Sequence, residues 1–390
     1  MPKTRKIGIC HLVQSLGVGG AEILLLHYIK ALDHSEFEHF VYCFESTGPI
    51  QAEIEKLGVD VKIGPRRASI KRPLAFFLSI IGIFSDLKKY IKKKKIRVIQ
   101  AHMGHANQLG TIFGKILRIP TFPTVHNTMA FVDRRKKTDI RVHLKKFGDE
   151  IIYRMADKVI AVSDEVKQIV QTNYHLNSSD VFVLKNGIIA EFDNIGPVDI
   201  ETELSVPGAK KKLIAVGSLT YQKAFEVLIK AAGDLVEKGH NDLLVLIVGE
   251  GEERPQLENL ISDLGLRKWV HLLGLRNDVL GLLKTSDVFI MPSRYEGLSI
   301  AMIEAMACGL PIIASDAPGL NSTIQHNHNG LLFAVENHRA LSDCITRVLT
   351  DSILCQELAT AAKDYFRKEF DLSRNIDPFC ALIKESVRQG

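Results

Sequence analysis

The chain has 390 residues, 46% of them apolar and 24% charged, a composition that suits two globular domains and excludes wholesale disorder. Six scattered cysteines (Cys10, Cys43, Cys308, Cys344, Cys355, Cys380) form no C-x-x-C pair, which excludes a disulfide scaffold or zinc ribbon and fits a reducing compartment. The apolar run that starts at Ile7 is too short for a signal peptide, and no run of about 18 apolar residues is present to span a bilayer, so a cytoplasmic location is expected.

In chain order, β-branched apolar runs predict strands at 6–12, 38–44, 59–63, 97–101, 121–125, 158–162 and 181–185. Helix-length periodic segments at 21–32, 104–117 and 164–172 fall between them. A polar, turn-rich stretch, 196–211, predicts a linker. The pattern then restarts, with strands at 212–216, 243–248, 269–273, 287–291, 311–314 and 330–333 and helices at 223–238, 253–264 and 277–285. Such alternation implies parallel sheets covered on both faces. The fold class is α/β: two doubly wound, Rossmann-like domains, 1–195 and 212–371, with the natural ligand site in the cleft between them.

The net charge of +5 hides an asymmetry. Residues 1–190 carry 30 Lys/Arg against 17 Asp/Glu, and the remaining 200 carry 20 against 28. Lys62 to Arg97 holds twelve basic residues and one acid, Asp86; a second cluster comprises Arg134, Arg135, Lys136, Lys137, Arg141, Lys145 and Lys146. Either these are solvated helix faces, or the front half meets an anionic membrane surface, a diphosphate-linked lipid or nucleic acid. The segment from Pro73 to Lys95 poses the same choice in one helix. Its apolar half and lysine-dense half suit a helix lying at a membrane interface, or a crossover helix packed on the sheet with lysines complementing its dipole.

The strongest chemical signal runs from Pro292 to Gly309, after the strand Val288 to Met291. Ser299 is placed to cap a helix at 300–308, and Gly309 to end it. Apart from Glu304, that helix consists of Ile, Ala, Met and Cys, so its carboxylate should be buried and in need of a partner. Glu296 lies in the loop at the carboxyl end of the strand, where α/β sheets place ligand contacts. Two acids so placed can grip two hydroxyl-bearing parts of one ligand.

The run Pro292-Ser293-Arg294-Tyr295-Glu296-Gly297-Leu298-Ser299, followed by Glu304-Ala305-Met306-Ala307-Cys308-Gly309, resembles the signature of the retaining family 4 glycosyltransferases of the GT-B fold. Further markers follow that family's order: Gly17-Val18-Gly19-Gly20-Ala21-Glu22, Val125-His126-Asn127-Thr128, Arg154-Met155-Ala156-Asp157 with Val162-Ser163, and Asn186-Gly187-Ile188. Val216-Gly217-Ser218-Leu219 with Gln222-Lys223, Gly249-Glu250-Gly251, and Gly274-Leu275-Arg276-Asn277-Asp278-Val279 complete the series. The resemblance spans nearly the whole chain and implies two domains facing each other across a deep cleft, with a helix at 372–390 packing back on the first.

It implies that Lys223 contacts a donor diphosphate, Glu304 the ribose hydroxyls, and Glu296 the donor sugar or reaction centre. His126 would lie beside the reacting carbon, making His126, Glu296 and Lys223 the catalytic candidates. Gly19, Gly20, Ser218, Gly249, Leu275, Arg276, Arg294, Gly297, Leu298 and Ser299 would line the donor, with residues 274–278 bordering the base. Gly17, Gly19 and Gly20 would aim a helix N-terminus at an anion. A dinucleotide fingerprint needs a different glycine spacing, and only Glu45 offers a ribose-gripping acid for one. His102 and His105 would flank the acceptor side.

The chain departs from the family where Ser218 replaces an arginine that clamps the diphosphate and Ala224 replaces a glycine. Losing such a donor costs on the order of 3 kcal/mol, so compensation by Arg294 or added backbone N–H groups is expected. No Asp-x-Asp and no metal-ligand cluster occurs in the sequence, which predicts metal-independent transfer without a cofactor, the nucleotide-sugar being substrate. The expected reaction is transfer from a nucleotide-sugar, UDP-sugar favoured, to a saccharide or polyprenyl-diphosphate-linked acceptor. It would serve capsule or O-antigen assembly, peripherally on the inner face of the cytoplasmic membrane. A nucleotide-sugar epimerase of the same build is the alternative. A nucleic-acid-binding protein would leave Glu304 and the acidic second half unexplained.

Overall fold

A computed structural model describes residues 6–17, 20–46, 48–65, 73–126, 140–190, 195–206, 208 and 211–389, with backbone alone at 73, 140–147 and 389. The chain divides into two compact units. One runs through Ile189 and resumes at Leu372; the other is Ala190–Asp371. The boundary thus precedes the expected 195. The stretch expected as a linker belongs to the second unit and carries the helix Ile200–Leu204, whose Asp199 cap accepts from the Thr202 backbone and whose Ile200 is fully buried.

The first unit is a parallel sheet in the order β3-β2-β1-β4-β5-β6-β7. Its strands are β1 (Ile7–Ser15), β2 (Phe37–Ser46), β3 (Asp60–Ile63), β4 (Ile96–His102), β5 (Thr121–Val125), β6 (Val159–Ala161) and β7 (Val181–Val183). Alternate residues sort to opposite faces. Cys10, Leu12, Phe40, Tyr42, Ile99 and Ala101 pack with helices Pro73–Lys94 and Gly104–Leu117, whereas Val13, Val41 and Cys43 pack with Gly20–Ala31 and Pro49–Lys56. The returning segment forms helices Leu372–Asn375 and Asp377–Gln389. Leu372 N donates to Ile188 O, Arg97 donates to Val387 O, and Phe379 packs its ring near Phe122 and Phe182.

The second unit is a parallel sheet in the order β10-β9-β8-β11-β12-β13. Its strands are β8 (Lys211–Val216), β9 (Leu243–Val248), β10 (Val270–Gly274), β11 (Val288–Met291), β12 (Ile312–Ser315) and β13 (Leu331–Phe333). The all-apolar strand β9 is buried throughout, as a strand covered on both faces must be. Both sheets reverse their winding at one point, between β1 and β4 in the first and between β8 and β11 in the second. Loops leaving the carboxyl ends of those strand pairs splay apart and leave a crevice.

Candidate functional site

At the second sheet's reversal, the loop after β8 supplies Gly217 to Ala224 and the loop after β11 supplies Pro292 to Ser299. The aliphatic stem of Lys223 lies along Gly217, where an added Cβ would come within 3.0 Å of Lys223 Cε. At Gly249 (φ +142°) a Cβ would fall 1.9 Å from Gly217 O, so these two glycines let the loops after β8 and β9 close on one another. Lys223 ends a short 3-10 turn, Tyr221–Lys223, and Ala224 follows in the left-handed conformation (φ +52°). The turn thereby aims Lys223 toward the β11 loop.

Lys223 Nζ donates to Glu296 Oε1 at 2.5 Å, with the two side chains 15% and 6% exposed. Ser293 Oγ donates to the same oxygen at 2.7 Å, and Gln222 Nε2 to Oε2 at 3.3 Å. Gln222 also binds Tyr295 O, and Arg294 N donates to Gln222 O, lacing the two loops together. Glu296 N donates to Pro318 O, and any Cβ at Gly319 (φ +88°) would collide with Glu296 O at 2.1 Å. Glu296 is thus fixed by three loop segments, two at its carboxylate and one at its backbone.

The helix Ile300–Cys308 begins at once after this loop. Ser299 Oγ accepts from Met302 N, and Gly309 closes the helix at φ +78°. Ile300, Met302, Ile303, Ala305, Met306 and Ala307 are buried. Glu304 keeps some residue surface, yet its carboxyl is enclosed by protein, and that desolvation pushes it from 4.5 to about 7. It has no hydrogen-bond or ion-pair partner among the described residues. No architectural neighbour claims this acid, which leaves it free for a ligand hydroxyl.

The remaining donor-side candidates separate by what they touch. Gly297 is exposed with open space where a Cβ would stand, and Leu298 is half-buried beside it. Leu275 is 71% exposed at the end of β10, and Gly249 N donates to Gly274 O, tying the β9 and β10 loops. Ser218 is exposed, its hydroxyl near Thr220 Oγ1. Arg276 is held by Glu203 and Asp278, which raise its pKa further. Arg294, expected to compensate for Ser218, is engaged by carboxylates of its own unit. Its guanidinium pairs with Glu226 and Glu336 and stacks on Tyr221 at 3.8 Å, so it braces the Glu296 loop. Desolvation opposes that charge, but the two carboxylates outweigh it and raise its pKa.

The first sheet's reversal carries different chemistry. Gly20 opens the helix Gly20–Ala31, with free space around Gly17 and Gly20; Gly19 lies outside the described residues, as do Asn127 and Thr128 and much of the second basic cluster. His126 follows β5 with both ring nitrogens buried and without partners, and burial pushes it down from 6.5 to about 4. Its ring centroid is 5.7 Å from that of His102, which is 5.7 Å from His11, itself 5.5 Å from His39. Pairing Ile9 with His39, His11 with Gln100 and His102 with Thr124 sets each histidine two residues further along its strand. The row therefore crosses one sheet face diagonally to the carboxyl edge. Desolvation is the leading cause that lowers every pKa in it.

Next to His102, Met103 holds φ +64° and ψ 153°, a conformation that costs a non-glycine residue about 1–3 kcal/mol. His105 Nδ1 lies 3.3 Å from Gln108 Oε1, and Gln108 donates to Asp149. Sequence reasoning missed His11, His39 and the strain at Met103. Matching strand parity of the histidines was the one available signal, and it becomes visible only once the strand order is known.

Two parallel doubly wound units, one with a lysine–carboxylate pair at its reversal and a free acid on the next helix, define a GT-B glycosyltransferase architecture. The Glycosyl transferases group 1 profile matches residues 199–365, and the Glycosyltransferase Family 4 profile matches residues 18–192. An uncharacterized glycosyltransferase of Methanocaldococcus jannaschii is 32% identical over 288 residues, 70% of this chain and 72% of that protein. The chain belongs to the group 1, family 4 glycosyltransferases. It is also 27% identical, over 98% of both chains, to the Escherichia coli UDP-Gal:alpha-D-GlcNAc-diphosphoundecaprenol alpha-1,3-galactosyltransferase. The fold matches Anabaena Alr3699/HepE in complex with UDP, with a TM-score of 0.78 at 21% identity over 98% of this chain and 100% of that one.

Proposed function

We propose that this glycosyltransferase moves a sugar from UDP to a polyprenyl-diphosphate-linked saccharide at an anionic membrane surface, with retention at the anomeric carbon and without a metal ion. The full-length similarity to a galactosyltransferase whose name specifies UDP-Gal and a diphosphoundecaprenol acceptor supports the substrate classes. The observation that carries the donor assignment is the unpartnered, desolvated carboxyl of Glu304, an acceptor suited to vicinal ribose hydroxyls.

On this reading Lys223 exchanges Glu296 for the donor diphosphate, whose larger charge competes better for the ammonium. The freed Glu296 carboxylate, still held by Ser293 and Gln222, accepts hydrogen bonds from the donor sugar. The acceptor hydroxyl attacks the face from which the diphosphate leaves, and the departing phosphate oxygen takes its proton. His126, neutral at physiological pH, hydrogen-bonds a sugar hydroxyl without adding charge. Lys223 and the N-terminal N–H groups of Ile300–Cys308 stabilise the leaving group.

Product analysis with a UDP-sugar panel and a polyprenyl-diphosphate saccharide tests the reading. An α-linked product from an α-linked donor, formed equally in EDTA, is expected. An inverted anomer overturns retention, loss in EDTA overturns metal independence, and sugar conversion without acceptor favours an epimerase.

A further inference from the structure

We propose that the outward stripe of the helix Pro73–Lys94 is a docking surface for an anionic phospholipid bilayer. This rests on the membrane-side acceptor proposed above and names the part of the chain that meets the lipid. The helix has 22 residues, is roughly 33 Å long, and packs across β2, β1 and β4. Lys95 alone separates the helix from β4, so the C-terminal end of the helix is level with the start of that strand. Running back along the sheet from there, the helix brings its first turns to the carboxyl-edge end of the sheet.

Burial follows that geometry. Ile83, Leu87, Tyr90 and Ile91, from the middle of the helix onward, are buried in the core. In the first turns, Leu74, Phe77, Leu78 and Ile81 are 73%, 62%, 57% and 49% exposed. Their spacing of three and four residues puts them on one face. Further along the helix, beyond Ser85, the exposed positions are Lys88, Lys89, Lys92 and Lys93, followed by Lys95 just after its end. Lys62 and Lys94 are paired with Asp86 and Asp60, but Lys88, Lys89, Lys92 and Lys95 have no ion pair among the described residues. One solvent face thus changes from large apolar side chains to free ammonium groups along its length.

A protein partner would be served by either half. Both together match the two layers of an anionic interface, with the apolar turns entering the acyl boundary and the lysines remaining at the headgroups. Since the apolar end lies on the carboxyl-edge side, insertion brings that edge, with Gly20, Met103 and His126, toward the bilayer surface. A lipid-linked acceptor would then present its saccharide where the first unit's open loops are.

Co-sedimentation of the full chain with vesicles containing phosphatidylglycerol, and with phosphatidylcholine vesicles, tests this. Wild type should bind the anionic vesicles. Phe77→Ser with Leu78→Ser should lower partitioning by about tenfold or more at low and high salt alike. Lys88→Gln, Lys89→Gln and Lys92→Gln together should lower it at low salt, with the difference shrinking as salt rises. UDP affinity, followed by calorimetry, should stay unchanged in both variants. Background-level binding by wild type, or full binding by the apolar variant, overturns the docking surface. So does a wild-type dimer in ultracentrifugation that the apolar variant splits while vesicles are ignored, since a second copy then covers the stripe. Retained UDP affinity in those outcomes leaves the glycosyltransferase reading standing, whereas loss of UDP binding by wild type would strike that reading instead.

Discussion

The two sheets share a winding scheme and differ in what their reversal points hold. In the second unit, Lys223, Glu296, Ser293, Gln222 and Arg294 form a charged, hydrogen-bonded lattice across two loops. In the first, the corresponding edge carries neutral imidazoles without partners and a strained Met103. A charged ligand such as a diphosphate requires pre-oriented charge, since moving dipoles after binding costs energy. A neutral, hydroxyl-rich ligand needs acceptors and donors with no net charge, which unprotonated histidines provide. The same fold thus carries charged groups at one reversal and neutral ones at the other, and each can be perturbed separately.

The largest effect belongs to Lys223. Its replacement by Ala should lower transfer by about 10²–10³-fold and leave Glu296 enclosed without a counter-charge, costing about 3 kcal/mol of stability. Adding Glu296→Gln should recover most of the stability in thermal denaturation but none of the activity. The first unit should respond to pH instead. His126 is pushed from 6.5 to about 4, so the unfolded chain takes up a proton before the folded one does. Its contribution is complete above pH 6.5 and is lost as pH falls toward 4, by about 3 kcal/mol. Urea titrations of His126→Phe across that window should show a shallower loss than wild type.

Glu304 has the opposite sign. Pushed up from 4.5 to about 7, it holds a proton between those values that the unfolded chain has released. Its burial is costless below pH 4.5 and fully destabilising above 7, so Glu304→Gln should raise the stability of the unliganded chain by about 1–3 kcal/mol above pH 7. Melting curves at pH 5 and pH 8 separate this from a general packing effect, since the gain should be much smaller at pH 5. The smallest change is Met103→Gly, which relieves the unusual backbone angle and should stabilise the first unit by about 1 kcal/mol. A loss of stability there would show that packing of the Met103 side chain outweighs the strain.

Much of this was legible in the residues because the signals were local. Each apolar run predicted as a strand forms one, since β-branched runs between turn residues leave the chain few other choices. The cap at Ser299 and the left-handed Gly309 follow from a few adjacent residues. The partners of Arg294, Glu226 and Glu336, could not be foreseen because they are far from it in sequence, and only the fold brings them to its guanidinium. The histidine row escaped for a related reason: its spacing is set by strand order and register rather than by any interval along the chain. The segment Pro73 to Lys95 forms one helix packed on the sheet, as the crossover reading requires. Its Ile83, Leu87, Tyr90 and Ile91 are buried in that core, while Leu74, Phe77, Leu78 and Ile81 in its first turns stay exposed.

Calorimetric titration of UDP into wild type and Glu304→Gln, from pH 6 to pH 8, addresses the nucleotide assignment most directly. Ribose hydroxyls favour the ionised carboxylate, so wild-type affinity should climb through pH 7 with release of a proton, beyond whatever UDP itself contributes. The Gln variant should bind at least about tenfold more weakly at pH 8 and lack that extra slope. Equal affinity and equal slope in the two proteins would contradict the claim that this acid holds the nucleoside.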